Sequence, residues 1–444
     1  MGKYFGTDGA RGEANKGLTL DIALKIGQYL GYYFGKGQHA KIVIGKDTRL
    51  SSDMFENAIA TGAISTGANV YLIDVCTTPC VSYLVKRELF DCGVMISASH
   101  NPYYDNGIKL FNGSGRKMDV EVERLIEDYI DGKQDIALAF NDGIGSSLDF
   151  SNGLTIYESY LKNSIQADLH GFNVALDLAN GSATSCAARV FYDLGVKCKV
   201  LHSNPNGVNI NSKCGSTHPE DLQKLMQKDC YDVGFAFDGD ADRLIAVQED
   251  GELFDGDHIL YVCGKYLANE KRLHKNTVVT TVMANLGLYK AFDQAGIQYL
   301  QTAVGDKYVC EKMEQHQYSI GGEQSGHIIF WEHANTGDGL LTALMLLEVM
   351  KISGKSLKEL SEDLFIYPQL LENVKVKDKE AILEDQRLLT KLEEIREELG
   401  DEGRILVRPS GTEPLIRVMV EAKSDALCER LVASVTDFVK EIDV

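Results

Sequence analysis

The chain has 444 residues, 44% of them hydrophobic and 25% charged, which are values typical of folded globular proteins. Lys and Arg total 45 against 65 for Asp and Glu, so the formal net charge is −20. This balance excludes general nucleic-acid binding, which needs a basic face, and at ~100–200 residues per domain the length predicts several domains.

The ten cysteines include no C-x-x-C pair and stand singly, mostly in apolar stretches. We therefore expect reduced thiols in a cytoplasmic protein rather than a disulfide framework or a zinc site. The N-terminus turns polar at once, which predicts no signal peptide, and the most apolar run, 340–350, is too short for a membrane span of ~20 residues. We expect no membrane partner.

Helical and strand-like segments alternate along most of the chain. Between 19 and 100 they predict helices over 20–33, from 51 or 52 to about 65, and over 81–89, with strands over 41–45, 69–73 and 93–96. The same rhythm predicts strands at 174–176, 196–202, 233–237, 278–282 and 298–302, with helices beginning at 183, 219, 258 and 286. This weak repeat predicts three similar α/β domains with mixed, largely parallel sheets, and chance similarity of α/β joints is the alternative.

The C-terminal segment has a different pattern. Tyr367-Pro368 ends the helical pattern, and the stretch that follows to Gly403 is highly charged. Two strands, 404–408 and 415–421, then flank a tight loop before a closing amphipathic helix. We expect a smaller α+β domain behind a hinge-like linker, and domain boundaries of 1–150, 151–253, 254–366 and 373–444.

The first of four notable polar loops runs Ser97-Ala-Ser-His-Asn-Pro102 after a predicted strand, where parallel sheets bind their ligands. Ser99 beside His100 can be a nucleophile, or it can simply cap a turn. Because no G-x-S-x-G surrounds it, a hydrolase nucleophile elbow is not indicated.

Three carboxylates alternate in the second loop, at Asp238, Asp240 and Asp242. They offer hard oxygen ligands to one divalent cation, with Mg²⁺ or Ca²⁺ the natural choices. An EF-hand is rejected because Arg243 stands where that loop needs Gly and strands flank it. A solvated acidic turn is the remaining alternative.

The third loop, Gly321-Gly-Glu-Gln-Ser-Gly-His327, sets polar groups between glycines. Glu323, Ser325 and His327 alternate, so in an extended chain their side chains face the same way. Acceptors and a hydroxyl in that array suit the hydroxyls of a sugar, and a plain polar turn is equally consistent with the pattern.

The fourth loop, Arg408-Pro-Ser-Gly-Thr-Glu-Pro414, is closed by Arg417. Two arginines, two hydroxyls and a glycine turn supply the donors that a phosphate dianion binds, and a surface turn is the alternative. Near the start, the glycine-rich run 6–12 would place Arg11 in a cleft.

Taken together in this order, the loops resemble those of the α-D-phosphohexomutase superfamily over the range from Gly6 to Arg417. The runs 3–9 and 97–109 match the usual openings of the superfamily closely. In having Gln324, the chain resembles members that act on hexosamine phosphates, whereas phosphomannomutase/phosphoglucomutase members usually carry Met at this position. Ala10 and Lys307 depart from the more usual branched residue and Arg.

The resemblance implies four domains around a central cleft, and an isomerase that moves a phosphoryl group within a phosphorylated hexosamine. Phosphorylation of Ser99 would be required, a 1,6-bisphosphate would be the intermediate, and phosphomannomutase/phosphoglucomutase activity is the alternative. The implied residues are Ser99, Asp238, Asp240 and Asp242 for one Mg²⁺; Glu323, Ser325 and His327 for the sugar; Arg408, Ser410, Gly411, Thr412 and Arg417 for phosphate; and Arg11, His100, Lys109 and Arg243 for catalysis and its support. Bacterial members suggest a homodimer, although no sequence feature indicates one. A Mg²⁺-dependent phosphohydrolase and a non-catalytic phosphosugar sensor are the rival classes.

Overall fold

The computed structural model describes residues 2–410 and 414–443. Within them the chain forms two compact units, the first built from 2–283 with 297–361 and the second from 284–296 with 362–443. Among the described residues, no helix has the length and apolar character needed to cross a bilayer.

The first sheet of the first unit has seven strands. Its segment contains β1 (Phe5–Gly6), β2 (Gly9–Glu13), α1 (Leu20–Gly35), β3 (Lys41–Lys46), α2 (Ser52–Ser65), β4 (Asn69–Val75), α3 (Thr78–Arg87), β5 (Cys92–Ile96), β6 (Asp105–Asn112), α4 (Val120–Ile130) and β7 (Ser147–Asp149). The strand order is β1-β2-β6-β5-β3-β4-β7, with parallel pairing of β3 to β4 and β5. The third helix begins three residues before its predicted start, because Thr77 caps it and Pro79 suits its first turn.

The second sheet has five strands. Its segment contains α5 (Gly153–Asn163), β8 (Asn173–Asp177), α6 (Ala187–Asp193), β9 (Lys197–Leu201), α7 (Glu220–Lys228), β10 (Val233–Phe237), β11 (Leu244–Val247) and β12 (Leu253–Phe254). The order is β12-β11-β10-β8-β9, parallel from β10 to β9 and antiparallel beyond. Every residue of β10 is buried, so this strand positions the loop 238–243 rigidly.

The third sheet has four strands. Its segment contains α8 (Gly256–Asn269), β13 (Thr277–Thr281), α9 (Leu286–Ala295), β14 (Gln298–Thr302), α10 (Asp306–His316), β15 (Ile320–Gly322), β16 (Ile328–Phe330), α11 (Gly339–Ser353) and α12 (Leu357–Leu360). The order is β14-β13-β15-β16, and only β16 runs antiparallel to its neighbour. Although α9 lies between two strands of this sheet in sequence, it belongs to the second unit.

The second unit contains β17 (Gln369–Lys375), α13 (Lys379–Glu384), α14 (Gln386–Leu399), β18 (Arg404–Pro409), β19 (Leu415–Glu421) and α15 (Asp425–Ile442). Its antiparallel sheet has the order β17-β19-β18. The highly charged stretch before Gly403 forms a strand and two helices. The reason is that α14 buries Leu388, Leu392 and Ile395 at helical spacing while its charges face outward.

The four sheets confirm the predicted fold class. Three α/β segments have mixed sheets with parallel central strands, and the smaller C-terminal part is α+β with an antiparallel sheet. The repeated glycine joints at Gly67, Gly195 and Gly296 all have positive φ angles, so each ends a helix in the conformation that glycine favours.

Candidate active site

Ser99 lies in the connection between β5 and β6 and is buried. Its Oγ donates a hydrogen bond to Asp238 Oδ2 at 2.6 Å, and Nδ1 of His100 lies 3.3 Å from the same hydroxyl oxygen. The backbone N–H of Ser99 donates to Ser97 Oγ at 2.9 Å. Ser99 has φ +53°, a left-handed conformation that non-glycine residues adopt rarely.

The three alternating carboxylates of the β10–β11 connection converge with Ser99. Oxygen atoms of Asp238, Asp240 and Asp242 all lie within 4.8 Å of one another, and all three residues are buried. Thr78 Oγ1 donates to Asp240 Oδ2 at 2.5 Å. Burial, together with the charges of Asp242 and Asp240, raises the pKa of Asp238 well above its ordinary value. This group of carboxylates, the acidic triad, needs a cation to be stable when ionised.

Lys109, on β6, is a buried cation beside the triad. Its Nζ lies 2.7 Å from Asp240 Oδ2, 3.0 Å from Asp242 Oδ2 and 3.2 Å from Asp8 Oδ2. Burial opposes its charge, but the three carboxylates outweigh that cost and raise the pKa of Lys109 well above its ordinary value. Lys109 therefore stays protonated.

Arg11 and Arg243 complete the positive side of the site. The Arg11 guanidinium pairs with Asp8, and the backbone N–H of Arg243 donates to Asp238 Oδ1 at 3.2 Å. Burial and the charges of these two arginines lower the pKa of His100 to about 4, so its imidazole is neutral at physiological pH.

The third polar loop forms a tight turn between β15 and β16 rather than the extended chain that we expected. Gly322 pairs with Ile328, and the Gly326 N–H donates to the Glu323 carbonyl at 3.0 Å. Ser325 is exposed, whereas the Glu323 carboxylate accepts from the Gly305 N–H at 3.0 Å. The expectation that the alternating side chains share one face is wrong, because the chain reverses within the loop.

His327, by contrast, is buried beside the acidic triad. The Gly337 N–H donates to its Nε2 at 2.9 Å, which assigns the ring proton to Nδ1. This Nδ1 lies 3.7 Å from Asp242 Oδ1, so His327 contacts a carboxylate of the triad. That position suits a group that orients Asp242.

A cavity of about 280 Å³ lies beside this cluster, lined among others by Thr7, Lys117, Asp306 and His327. Thr7, Lys117 and Asp306 also line a smaller cavity, which reaches Lys109. The two cavities therefore adjoin, and the smaller one lies against both Lys109 and Asp242.

Several residues of the site escaped the sequence analysis. Asp8 contacts Lys109 and Lys117, and Lys117 Nζ also lies 2.7 Å from Asp306 Oδ2. Burial would raise the pKa of Asp8, but Lys109, Lys117 and Arg11 together hold it well below its ordinary value. Asp8 belongs to the glycine-rich run 6–12, and Asp306 lies directly before Lys307, so both stand beside residues that the sequence marks. Thr78 and Lys117 lie in no motif.

In the second unit, Arg408 on β18 stands directly opposite Arg417 on β19. Burial and the charge of Arg417 lower the pKa of Arg408, which marks two cations held close together. Ser410 Oγ is buried without a hydrogen-bond partner among the described residues, and the Ser410 carbonyl accepts from Lys379 Nζ at 2.8 Å. Gly411 and Thr412, also predicted to bind phosphate, lie outside the described residues.

A second group of metal-type side chains, Asp177, His202 and Cys214, lies in the second sheet's segment. Asp177 Oδ2 contacts His202 Nδ1 at 2.9 Å and accepts from the Gly215 N–H at 3.0 Å, while Oδ1 accepts from Ala179. Because both carboxylate oxygens already have partners, this group is a hydrogen-bonded anchor for its loops. All ten cysteines are free thiols, as expected.

The chain matches four family descriptions in order along its length. Phosphoglucomutase/phosphomannomutase α/β/α domain I matches residues 2–136, domain II 155–251, domain III 255–366, and the C-terminal domain 371–438. The chain belongs to the phosphoglucomutase/phosphomannomutase family, and hence to the phosphohexomutases, which are isomerases.

Named relatives and solved structures agree with this assignment. The chain is 56% identical to the phosphoglucosamine mutase of Lachnoclostridium phytofermentans, over 97% of this chain and 96% of the relative. A phosphoglucomutase/phosphomannomutase family protein from Burkholderia thailandensis has the same fold, with a TM-score of 0.82 at 24% identity, covering 99% and 98% of the two chains. So does Aspergillus fumigatus N-acetylphosphoglucosamine mutase, solved with GlcNAc-6P and magnesium, at a TM-score of 0.66, 16% identity and coverages of 99% and 96%.

Proposed function

We propose that this enzyme interconverts glucosamine 6-phosphate and glucosamine 1-phosphate, and so supplies amino-sugar nucleotide and cell-wall precursor synthesis. The observation that carries the proposal is the Ser99 hydroxyl, 2.6 Å from a carboxylate of a buried acidic triad, in a chain 56% identical to a phosphoglucosamine mutase. Within this proposal Ser99 is phosphorylated in the active enzyme.

The acidic triad fits a magnesium ion. Its three side chains offer hard oxygen ligands, which Mg²⁺ prefers. Asp240 Oδ1 and Asp242 Oδ1 are buried without a hydrogen-bond partner among the described residues, an arrangement that is costly unless a cation lies there. Asp238, Asp240 and Asp242 would hold one Mg²⁺ per chain together with the Ser99 side chain. When bound, the ion neutralises charge on the transferring phosphoryl group.

The reaction consists of two phosphoryl transfers. Phosphorylated Ser99 gives its phosphoryl group to the 1-hydroxyl of glucosamine 6-phosphate, so the bond from phosphorus to Ser99 Oγ breaks as the bond to the sugar oxygen forms, and the proton of the 1-hydroxyl ends on Ser99 Oγ. The resulting 1,6-bisphosphate reorients, and Ser99 Oγ attacks the 6-phosphate: the bond from phosphorus to Ser99 Oγ forms as the bond from phosphorus to O6 breaks, and the Ser99 hydroxyl proton ends on O6. Glucosamine 1-phosphate leaves, and the enzyme is again phosphorylated.

Different neighbouring residues accept the proton and stabilise the charge in these steps. Ser99 must lose its hydroxyl proton when it attacks the bisphosphate; its hydroxyl donates to Asp238 Oδ2, and neutral His100 Nδ1 lies 3.3 Å away, so these two side chains are the proton acceptors within reach. Lys109 remains protonated and stabilises negative charge on the transferring group. Arg11 and Arg243 support the same role.

Substrate binding needs residues that contact the sugar ring and others that bind the phosphate that is not being transferred. We assign the sugar hydroxyls to Glu323 and Ser325 and place His327 beside Asp242, where its Nδ1 lies 3.7 Å from Oδ1. Arg408, Ser410 and Arg417 supply phosphate donors, joined by Gly411 and Thr412 of the same motif. The same phosphate-binding residues serve both transfers, because the bisphosphate has a phosphate at either end.

Phosphomannomutase/phosphoglucomutase activity is the second candidate, because the family descriptions carry those names. Gln324 favours the hexosamine substrate. Its Nε2 donates to Asp255 Oδ2 at 3.2 Å, and Asp255 also contacts His258 Nδ1 at 2.7 Å. Met at position 324 could not make this hydrogen bond, so the polar arrangement distinguishes this loop from the alternative class.

One preparation of enzyme tests the proposal. Mass spectrometry of freshly purified protein should find a phosphoryl group on Ser99, and turnover should be fastest on glucosamine 6-phosphate among the glucosamine, mannose and glucose 6-phosphates. Ser99→Ala should lower turnover by about 10³-fold or more, because the covalent step is lost. Ser159→Ala, an exposed serine of α5, should change nothing.

The other results have equally definite meanings. Faster turnover of mannose or glucose 6-phosphate would assign the alternative mutase activity. Steady release of inorganic phosphate would indicate a phosphohydrolase, and tight binding without turnover would indicate a sensor. Full activity of Ser99→Ala would overturn the phosphoserine mechanism.

A further inference from the structure

The turn that carries Ser99 is strained, and buried donors bind its backbone carbonyls. Ser99 has φ +53°, and the Asn101 N–H donates back to Ala98 O at 3.1 Å. A left-handed serine relaxes to a common backbone conformation unless surrounding contacts hold it. Such relaxation would move Ser99 Oγ away from Asp238.

Two side chains from different segments bind the same pair of carbonyls. Arg49 Nη2 donates to Ser99 O at 2.8 Å and to Asn101 O at 2.9 Å. Asn211 Nδ2 donates to Ser99 O at 2.8 Å and to Asn101 O at 3.1 Å. Because both partners are carbonyl acceptors, only the amide nitrogen of Asn211 can face them. We call this arrangement of Arg49 and Asn211 the carbonyl clamp.

Arg49 is itself held rigidly. Its Nε lies 2.8 Å from Asp47 Oδ2, and both side chains are completely buried. Its remaining nitrogen, Nη1, donates to Asp105 O at 3.1 Å and also to Pro102 O. Both Nη groups of the guanidinium therefore donate to the backbone of one loop, and its planar shape holds that loop in one conformation.

Asn211 brings the second sheet's segment into the clamp. It has φ +57°, and its N–H donates to Ala179 O at 2.9 Å. A Cβ atom on Gly239, between two carboxylates of the triad, would lie 2.5 Å from Ser99 O and 2.8 Å from Asn211 Nδ2. The clamp thus occupies the tight contact where the Ser99 loop meets the triad loop.

We propose that Arg49 and Asn211 are positioning residues for phosphoryl transfer. They hold the Ser99 turn in its left-handed conformation so that Ser99 Oγ, bare or phosphorylated, stays aimed at the triad. This inference rests on the proposed function. The clamp touches neither sugar nor phosphate, so its loss acts on the rate of transfer and leaves substrate binding nearly unchanged.

Asn211 is the better position to test, because Arg49 also neutralises the buried Asp47 and its loss could prevent folding. In the full-length enzyme, Asn211→Ala should lower kcat for glucosamine 6-phosphate by about 10- to 100-fold, since a displaced reacting group costs that much. KM should stay within about threefold, and the thermal midpoint should be close to that of wild type. Asn209→Ala is the matched control, because its side chain donates to Asn204 O within the same connection.

Asn211→Asp separates hydrogen bonding from packing. It keeps the size of the side chain but turns a carboxylate oxygen toward two carbonyls, so kcat should fall at least as far as in Asn211→Ala. If Asn211 only filled space, Asn211→Asp would keep a higher kcat than Asn211→Ala, because the shape of the side chain is retained.

The failures of the two proposals are distinguishable. If wild type and Asn209→Ala are both active and Asn211→Ala has the same kcat, the positioning role alone is overturned. A loss of activity in Asn211→Ala that only matches its unfolded fraction would also overturn that role. A phosphorylated wild type that converts none of the hexose or hexosamine phosphates would overturn the proposed function and the positioning role with it.

Discussion

Asp338 shows how burial changes a single carboxyl group. It caps α11, where Oδ1 accepts from the Leu341 N–H at 2.9 Å, and Oδ2 accepts from Tyr157 Oη at 2.8 Å. Burial, with a smaller contribution from the charge of Asp242, raises the pKa of Asp338 to about 6, although these hydrogen bonds act in the other direction.

The raised pKa predicts a pH-dependent penalty on stability. Because the folded pKa of Asp338 exceeds the unfolded value of 3.8, the stability that this group contributes is complete below about pH 4 and is lost as the pH rises through about 6. That pKa difference corresponds to about 3 kcal/mol. Asp338→Asn cannot titrate, so its thermal midpoint should rise relative to wild type between pH 4 and pH 7. A midpoint difference that stays constant over this range would contradict the prediction.

At the same scale, sequence reasoning reached only the residues that stand in a motif. Ser99 and the acidic triad could be singled out because their types and spacing imply a chemistry, and the structure brings them together. Arg49 and Asn211 could not, since their contacts with Ser99 span 50 and 112 residues of chain. A local sequence pattern cannot predict a hydrogen bond between residues so far apart along the chain.

At the scale of elements, periodicity predicted the buried strands and amphipathic helices well, because burial on one or two faces determines both patterns. It failed where a turn or a partner strand decides the conformation. The third loop reverses because β15 and β16 pair as a hairpin. Similarly, β17 forms because it pairs with β19, from Gln369 with Glu421 to Lys375 with Leu415. The charged sequence around β17 does not predict this strand.

One buried ion pair joins α2 to β3. Lys46 Nζ lies 2.6 Å from Glu56 Oε2, and their side chains are 11% and 7% exposed. Asp53 and Asp74 also reach Lys46 but are largely exposed. Burial raises the pKa of Glu56 even with Lys46 beside it, so the carboxylate depends on its partner to remain charged.

Removing only the lysine should therefore be the most damaging change to this pair. Lys46→Met leaves the Glu56 charge buried without its partner, and we expect a loss of about 3–5 kcal/mol in the free energy of unfolding. Glu56→Gln should cost less, because Lys46 keeps Asp53 and Asp74. The double variant Lys46→Met/Glu56→Leu should recover much of the loss. Equal stability of Lys46→Met and the double variant, measured by denaturant unfolding, would disprove the dependence.

For the whole molecule, the net charge of −20 coexists with a local group of cations in each unit. Lys109, Arg11 and Arg243 surround the triad in the first unit, while Arg408 and Arg417 face each other in the second. The acidic surplus is thus a property of the remaining surface, where it favours solubility, and local positive groups determine what the site binds.

Each unit buries its own apolar cluster, so each should unfold as its own cooperative transition in calorimetry. Only the first contains the acidic triad. Mg²⁺ at about 100 times its Kd should stabilise that transition by about 2.7 kcal/mol and leave the other unchanged. Asp240→Asn should weaken or abolish the shift, whereas Asp250→Asn, which removes the same charge from the β11–β12 turn, should retain it. A Mg²⁺ shift of both transitions, or an undiminished shift in Asp240→Asn, would show that the ion acts elsewhere than at the triad.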